Sequence, residues 1–165
     1  MLAGERHGKI LPGFDIGNSP SQIKGMDFTG KTVIHTTSAG TQGIANATHS
    51  SEILCAGLVT ARATAEYLKK RNPSKVSLVC MGLEALEETE EDTLCAEYIR
   101  DLLLGRERDI SFEIEDLKRT SGAKFFDERQ AEVFPEEDFY LSTSLDKFDF
   151  VLKYDLINHC TTMVG

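Results

Sequence analysis

Thr32-Val33-Ile34-His35 runs directly into Thr36-Thr37-Ser38-Ala39-Gly40-Thr41-Gln42-Gly43. A short apolar strand that empties into a hydroxyl- and glycine-rich turn, which in turn opens a helix, commits the chain to strand–helix packing. A helix start exposes unpaired backbone N–H groups and the positive end of the helix dipole, so it suits an anion such as phosphate. Thr36, Thr37, Ser38 and Thr41 add hydroxyl donors, while Gly40 and Gly43 let backbone approach a ligand closely. The same chemistry also serves simply as helix capping, and the residues alone leave both readings open.

Alternation continues along the chain. Strand signals fall at Thr32–Thr36, Glu52–Ala56, Ser74–Met81 and Phe148–Tyr154, and helix signals at Thr41–Thr48, Val59–Arg71 and Glu90–Leu104. Asn72-Pro73 ends the second helix and Gly105 the third. Leu94, Tyr98, Ile99, Leu102 and Leu103 recur near a 3.6-residue period, giving an amphipathic helix. Ser74–Met81 is the clearest strand, nearly apolar at its C-terminal end as a strand covered on both faces should be. Lys9–Gly30 reads as a long ordered loop or a strand with turns, and residues 106–139 as a smaller helical region. This pattern predicts one α/β domain over residues 1–165, a three-layer α/β/α arrangement around a mostly parallel sheet.

At 165 residues the chain is long enough to bury roughly two-thirds of its extended surface. A net charge of −9 argues against nucleic-acid binding, which needs a cationic face, and no apolar run approaches the roughly 20 residues of a membrane helix. With no signal-peptide pattern at the start, the expected location is cytoplasmic, with the four cysteines reduced. None of Cys55, Cys80, Cys95 and Cys160 has C-x-x-C spacing; Cys55 and Cys80 read as small core residues, and Cys95 as core rather than nucleophile. His35, inside a strand, reads as a satisfied core or edge residue. P-loop, dinucleotide-fingerprint and nucleophile-elbow motifs are absent.

Ligands of parallel α/β sheets collect at the C-terminal ends of strands. Thr36-Thr37-Ser38 ends one strand and Met81-Gly82 another, and Glu90-Glu91-Asp92 follows near a helix start. Those acids either offset the helix dipole or hold a divalent cation such as Mg²⁺, which favours one or two carboxylates with phosphate and water oxygens. Arg6 offers a planar fork of donors for phosphate or sulfonate, and Asn18 and Ser19 could donate from the loop that Pro20 stiffens. A surface arginine beside a capped turn is the plain alternative.

In order along the chain, Gly4-Glu5-Arg6-x-Gly8, Gly13-Phe14-Asp15-x-Gly17-Asn18-Ser19-Pro20, Gly30-Lys31-Thr32, Thr36-Thr37-Ser38-Ala39-Gly40-Thr41 and Glu91-Asp92-x-x-Cys95-Ala96 resemble the 2-phosphosulfolactate phosphatase family. The resemblance covers residues 2–105 well and the remainder loosely. It implies a Mg²⁺-dependent phosphoric monoester hydrolase acting on 2-phosphosulfolactate, a step toward coenzyme M, or on a related phosphorylated 2-hydroxy acid. It also implies that Arg6, Asn18, Ser19, Thr36, Thr37, Ser38, Gly40 and Thr41 bind the substrate anion, with Asp92 and Glu91 as catalytic and metal-binding residues. Two departures stand out. The family's turn usually carries an asparagine where this chain has Ala39, and family members begin with a strand and an Asp- and Arg-bearing turn before the Gly-Glu-Arg motif, where this chain starts. The expectation is a fragment or truncated relative whose uncovered sheet edge favours a homo-oligomer, most simply a dimer. The alternative readings are a non-catalytic anion-binding or assembly module of the same fold and, more remotely, an unrelated phosphate-binding domain for a carbohydrate or nucleotide.

Overall fold

A computed structural model describes all of residues 1–165. The N-terminal segment, ahead of the first strand signal at Thr32, forms β1 (Leu2–Arg6), β2 (Lys9–Ile10) and, after a helical turn α1 (Pro20–Ile23), the expected strand β3 (Ile34–Thr36). β1 pairs parallel with β3, Gly4 opposite Thr36, and antiparallel with β2 through a turn in which His7 and Gly8 both have positive φ. The glycine-rich stretch that follows is an ordered loop fastened to β1: Asp15 Oδ2 accepts the Leu2 N–H at 2.7 Å, and the Leu2 carbonyl accepts the Asp15 and Ile16 N–H groups. Its far end is held by α6 (Glu136–Thr143), where Asp138 Oδ1 accepts the Ser21 N–H and Lys24 pairs with Glu137.

The larger hydrophobic core lies in the helical half. α2 (Gly40–Asn46) follows β3, then β4 (Ile53–Cys55), α3 (Ala61–Arg71) and α4 (Glu90–Leu103). α3 stops where Asn72 adopts a left-handed conformation before Pro73, as the sequence requires. Leu94, Cys95, Tyr98, Ile99 and Leu102 form one stripe of α4 that packs on Ala61 and Ala65 of α3, with Leu58, Ile110, Leu117 and Phe139 closing the cluster. Only 21 of 165 residues are buried, so this cluster carries most of the apolar stabilisation. A polar staple seals its edge. Asp146 accepts from the Arg62 N–H (2.9 Å) and Nε (3.1 Å) and from the Tyr98 hydroxyl (2.6 Å), while Arg62 also grips Glu107. The 106–139 region is helical as expected, with α5 (Ser111–Asp116) and three short 3-10 turns.

The sheet departs from expectation. Six strands form two three-stranded sheets: the mixed β2-β1-β3, and the antiparallel β4-β5-β6 made with β5 (Val151–Asp155) and β6 (Cys160–Val164). The chain is α/β, but β1–β3 is the one parallel pair of named strands, and the mostly parallel sheet of a three-layer arrangement is not formed. Ser74–Met81, the clearest strand of the sequence, is the reason. No backbone group of Ser74–Cys80 is hydrogen-bonded, and Val79 is 74% exposed. Apolar composition supplies side chains for a doubly covered strand, but a strand also needs neighbouring ladders, and neither sheet provides one here. Cys80 is accordingly exposed rather than core, Cys55 is half-buried, and Cys95 is buried as expected. No helix is long and apolar enough to cross a membrane.

Candidate functional site

Parallel pairing of β1 with β3 puts the ends of both strands on the same side, so Arg6 and the Thr36–Thr41 turn face one cleft. Gly4 makes this approach possible: a Cβ there would stand 2.6 Å from the Thr36 carbonyl oxygen. The cleft encloses about 620 Å³ and is lined by Arg6, Thr36, Thr37, Ser38, Ala39 and Thr41, with His7, Gln42, Ala45 and Glu84.

The turn is wound by its own side chains. Thr41 Oγ1 accepts the Thr37 N–H at 3.2 Å and donates to the Thr37 carbonyl, and Ala39 is held at φ +81°. That conformation is strained for any residue with a Cβ. The N–H groups of Ala39, Gly40, Thr41 and Gln42 have no acceptor, and the Thr36 hydroxyl donates to no protein group. The Ser38 N–H is spent on Glu5 Oε1 at 2.9 Å. Across the mouth, His7 Nδ1 meets Glu84 Oε1 at 2.9 Å.

Asp92 and Glu91 stand on the other side of the α2 start. Asp92, in the first turn of α4, reaches back so that its Oδ2 accepts the N–H groups of Met81 (2.9 Å) and Gly82 (2.8 Å). Glu91 Oε2 is buried without a hydrogen-bond partner. Both carboxylates line a second cavity of about 630 Å³, which Gly40 and Met81 share. Gly43 of α2 packs directly on Met81 and so joins the two regions. No third carboxylate, histidine or cysteine gathers with Glu91 and Asp92. A cation held there would rely on the free Glu91 Oε2 and the remaining Asp92 oxygen, completed by water or substrate oxygens, a donor set that suits Mg²⁺.

Arg6, Thr36, Thr37, Ser38 and Thr41 are thus brought together in the first cleft, and Gly40, Glu91 and Asp92 in the second. Asn18 and Ser19 line neither: Asn18 Oδ1 contacts His35 Nε2 at 3.0 Å, and Ser19 Oγ contacts Ser21 Oγ. His35 is a satisfied edge residue, and burial holds its imidazole below its ordinary value although Glu5 pulls it upward. Burial, reinforced by Asp92, pushes the Cys95 thiol up to about 12, so it carries no thiolate at neutral pH. Glu5, His7, Gln42 and Glu84 are not among the site residues the sequence predicts; Glu5 and His7 adjoin Arg6, but nothing in the four residue types marks them for the site.

The family model for 2-phosphosulpholactate phosphatase matches residues 1–156. The chain is 40% identical over 108 residues to a protein of Caldicellulosiruptor saccharolyticus named probable 2-phosphosulfolactate phosphatase, a match covering 63% of this chain and 44% of that protein. Proteins of the same name from Bacillus subtilis (33% over 157 residues) and Caldanaerobacter subterraneus (31% over 168 residues) each match 93% of the chain. The chain spans 67% and 68% of those two relatives, and less than half of the first.

Proposed function

The chain belongs to the 2-phosphosulpholactate phosphatase family, and from that premise we propose that it is a Mg²⁺-dependent phosphatase of 2-phosphosulfolactate or a related phosphorylated 2-hydroxy acid. One observation carries the reading: the parallel β1–β3 pair brings Arg6 into one cleft with a turn whose lining residues Ala39, Thr41 and Gln42 have unpaired N–H groups. Hydrolysis adds water across the P–O bond, releasing phosphate and the 2-hydroxy acid, and its barrier is lowered chiefly by positioning and by neutralising the oxygens of the transferring group. Arg6 would hold the phosphate or sulfonate through its guanidinium fork, while Thr36 and Ser38 donate from the turn, and Gly40 would admit the substrate against backbone on the side that lines the second cavity. Thr37 and Thr41 act on the same anion by fixing the turn's shape. Asn18 and Ser19 would set the loop beneath His35.

Glu91 and Asp92 would hold Mg²⁺, which supplies Lewis-acid neutralisation of phosphoryl charge when bound. Asp92 at the same time keeps the Met81-Gly82 turn closed, and the buried free oxygen of Glu91 supports the cation reading. A homo-oligomer fits as well, because Ser74–Cys80 offers an apolar run whose backbone is unpaired on both sides.

A second reading, a non-catalytic anion-binding or assembly module, is favoured by the engagement of Asp92 Oδ2 with two backbone donors. Phosphate release from racemic 2-phosphosulfolactate and a panel of phosphorylated 2-hydroxy acids, with Mg²⁺ and with EDTA, separates the two. Mg²⁺-dependent release is expected; folded protein that binds phosphate without turnover would establish the second reading.

A further inference from the structure

We infer that Glu5 is the positioning residue of the anion cleft, one carboxylate that sets the spacing between the strand end carrying Arg6 and the turn carrying the hydroxyls. Its two oxygens divide the work: Oε1 accepts the Ser38 N–H and Oε2 the Gly8 N–H, each at 2.9 Å. Ser38 lies 33 residues further along the chain, so this is a tertiary tie between the two segments that supply the cleft's donors. The Gly8 end is itself anchored, since a Cβ on Gly8 would stand 2.5 Å from the Phe134 ring. Burial pushes the Glu5 carboxyl up, but the Ser38 and Gly8 N–H groups, with Arg6, more than reverse this and hold it below its ordinary value. The carboxylate is therefore the form the site is built around.

An anionic side chain beside an anion cleft is a liability unless its geometry is needed, and that makes the inference testable by sign. It rests on the cleft reading above. In Glu5→Gln the side chain keeps its size and loses its charge, but its single oxygen accepts from one segment while its NH₂ group opposes the other N–H. If Glu5 were a bystander, removing its charge would tighten anion binding; as a positioning residue, its amide variant loosens it.

The experiment is titration of the full chain with inorganic phosphate, with Mg²⁺ present, beside a thermal melt. Wild type is expected to bind, and Glu5→Gln to bind at least roughly tenfold more weakly with little change in Tm. Glu5→Asp retains the charge but is one methylene too short to span both donors, so it too is expected to bind more weakly, and it serves if the Gln variant does not fold. Equal or tighter binding by either folded variant overturns the role of Glu5 and leaves the cleft standing. Folded wild type that binds no phosphate overturns both.

Discussion

Asp92 Oδ2 lies 2.8 Å from the Gly82 nitrogen and 2.9 Å from that of Met81, so one carboxylate oxygen closes the turn that ends the apolar run 74–81. Asp92→Asn tests its double use. The amide oxygen still accepts, so the fold should persist with a loss of about 1 kcal/mol, seen as a few degrees in Tm. Mg²⁺-dependent phosphate release should fall roughly 100-fold or more, because the cation loses a charged ligand. Unchanged turnover in a folded variant would confine Asp92 to the turn.

The same turn depends on Gly82. Its φ is +59°, and a Cβ there would stand 2.0 Å from the Glu87 carbonyl oxygen. Gly82→Ala should therefore cost more than about 2 kcal/mol, combining backbone strain with a backbone clash. Gly13→Ala is the control: φ is +80°, but nothing lies within 4 Å, so only strain of about 1 kcal/mol is expected. Equal melting temperatures for the two variants would show that the Gly82–Glu87 approach contributes nothing.

Alkaline titration should report the Arg62–Tyr98–Asp146 staple. Burial first, then the hydrogen bond to Asp146, pushes the Tyr98 hydroxyl up to about 12, with Arg62 opposing. A group that holds its proton more tightly when folded contributes stability that is complete below its unfolded pKa, about 10, and is lost as pH rises toward 12. Urea midpoints should thus fall between pH 10 and pH 12 more steeply for wild type than for Tyr98→Phe. Parallel pH profiles would remove Tyr98 from that loss. At pH 7 the variant should already be less stable by about 1–3 kcal/mol, since it removes a hydrogen bond to a charged acceptor.

What could be read in the sequence was local. Asn72-Pro73 and Gly105 marked where α3 and α4 stop, and the spacing of Leu94, Tyr98, Ile99 and Leu102 named the face that became core. The strand–turn–helix at 34–46 was legible because hydroxyls and glycines act on their immediate neighbours. Pairing was not legible. Val76, Leu78 and Val79 have the composition of a covered strand, yet whether they enter a ladder is decided by segments distant in sequence. β6 was likewise unread, although Asp155, whose side chain accepts from the Ile157 and Asn158 N–H groups, makes the turn that folds it back on β5. In the cleft, Arg6 and the hydroxyls announced themselves by type. Glu5 and Glu84 did not, because a carboxylate that holds backbone or meets a histidine looks, in sequence, like any solvated acid.

The unpaired run supplies the last prediction. Ser74–Cys80 leaves its backbone donors and acceptors free on both edges, and its side chains include Val76, Leu78 and the 74%-exposed Val79. Such an edge templates pairing with another chain, and a lysine on it opposes close approach of a second copy by charge and by desolvation cost. Wild type should therefore associate with rising concentration in sedimentation velocity, and Val79→Lys should remain monomeric. Because Val79 lies outside the α3–α4 core, the variant's Tm at low concentration should match that of wild type within the roughly 0.5 kcal/mol typical of surface changes. Association that survives Val79→Lys would place the contact elsewhere, with the exposed strand β3, where Ile34 is 63% exposed, the next edge to test.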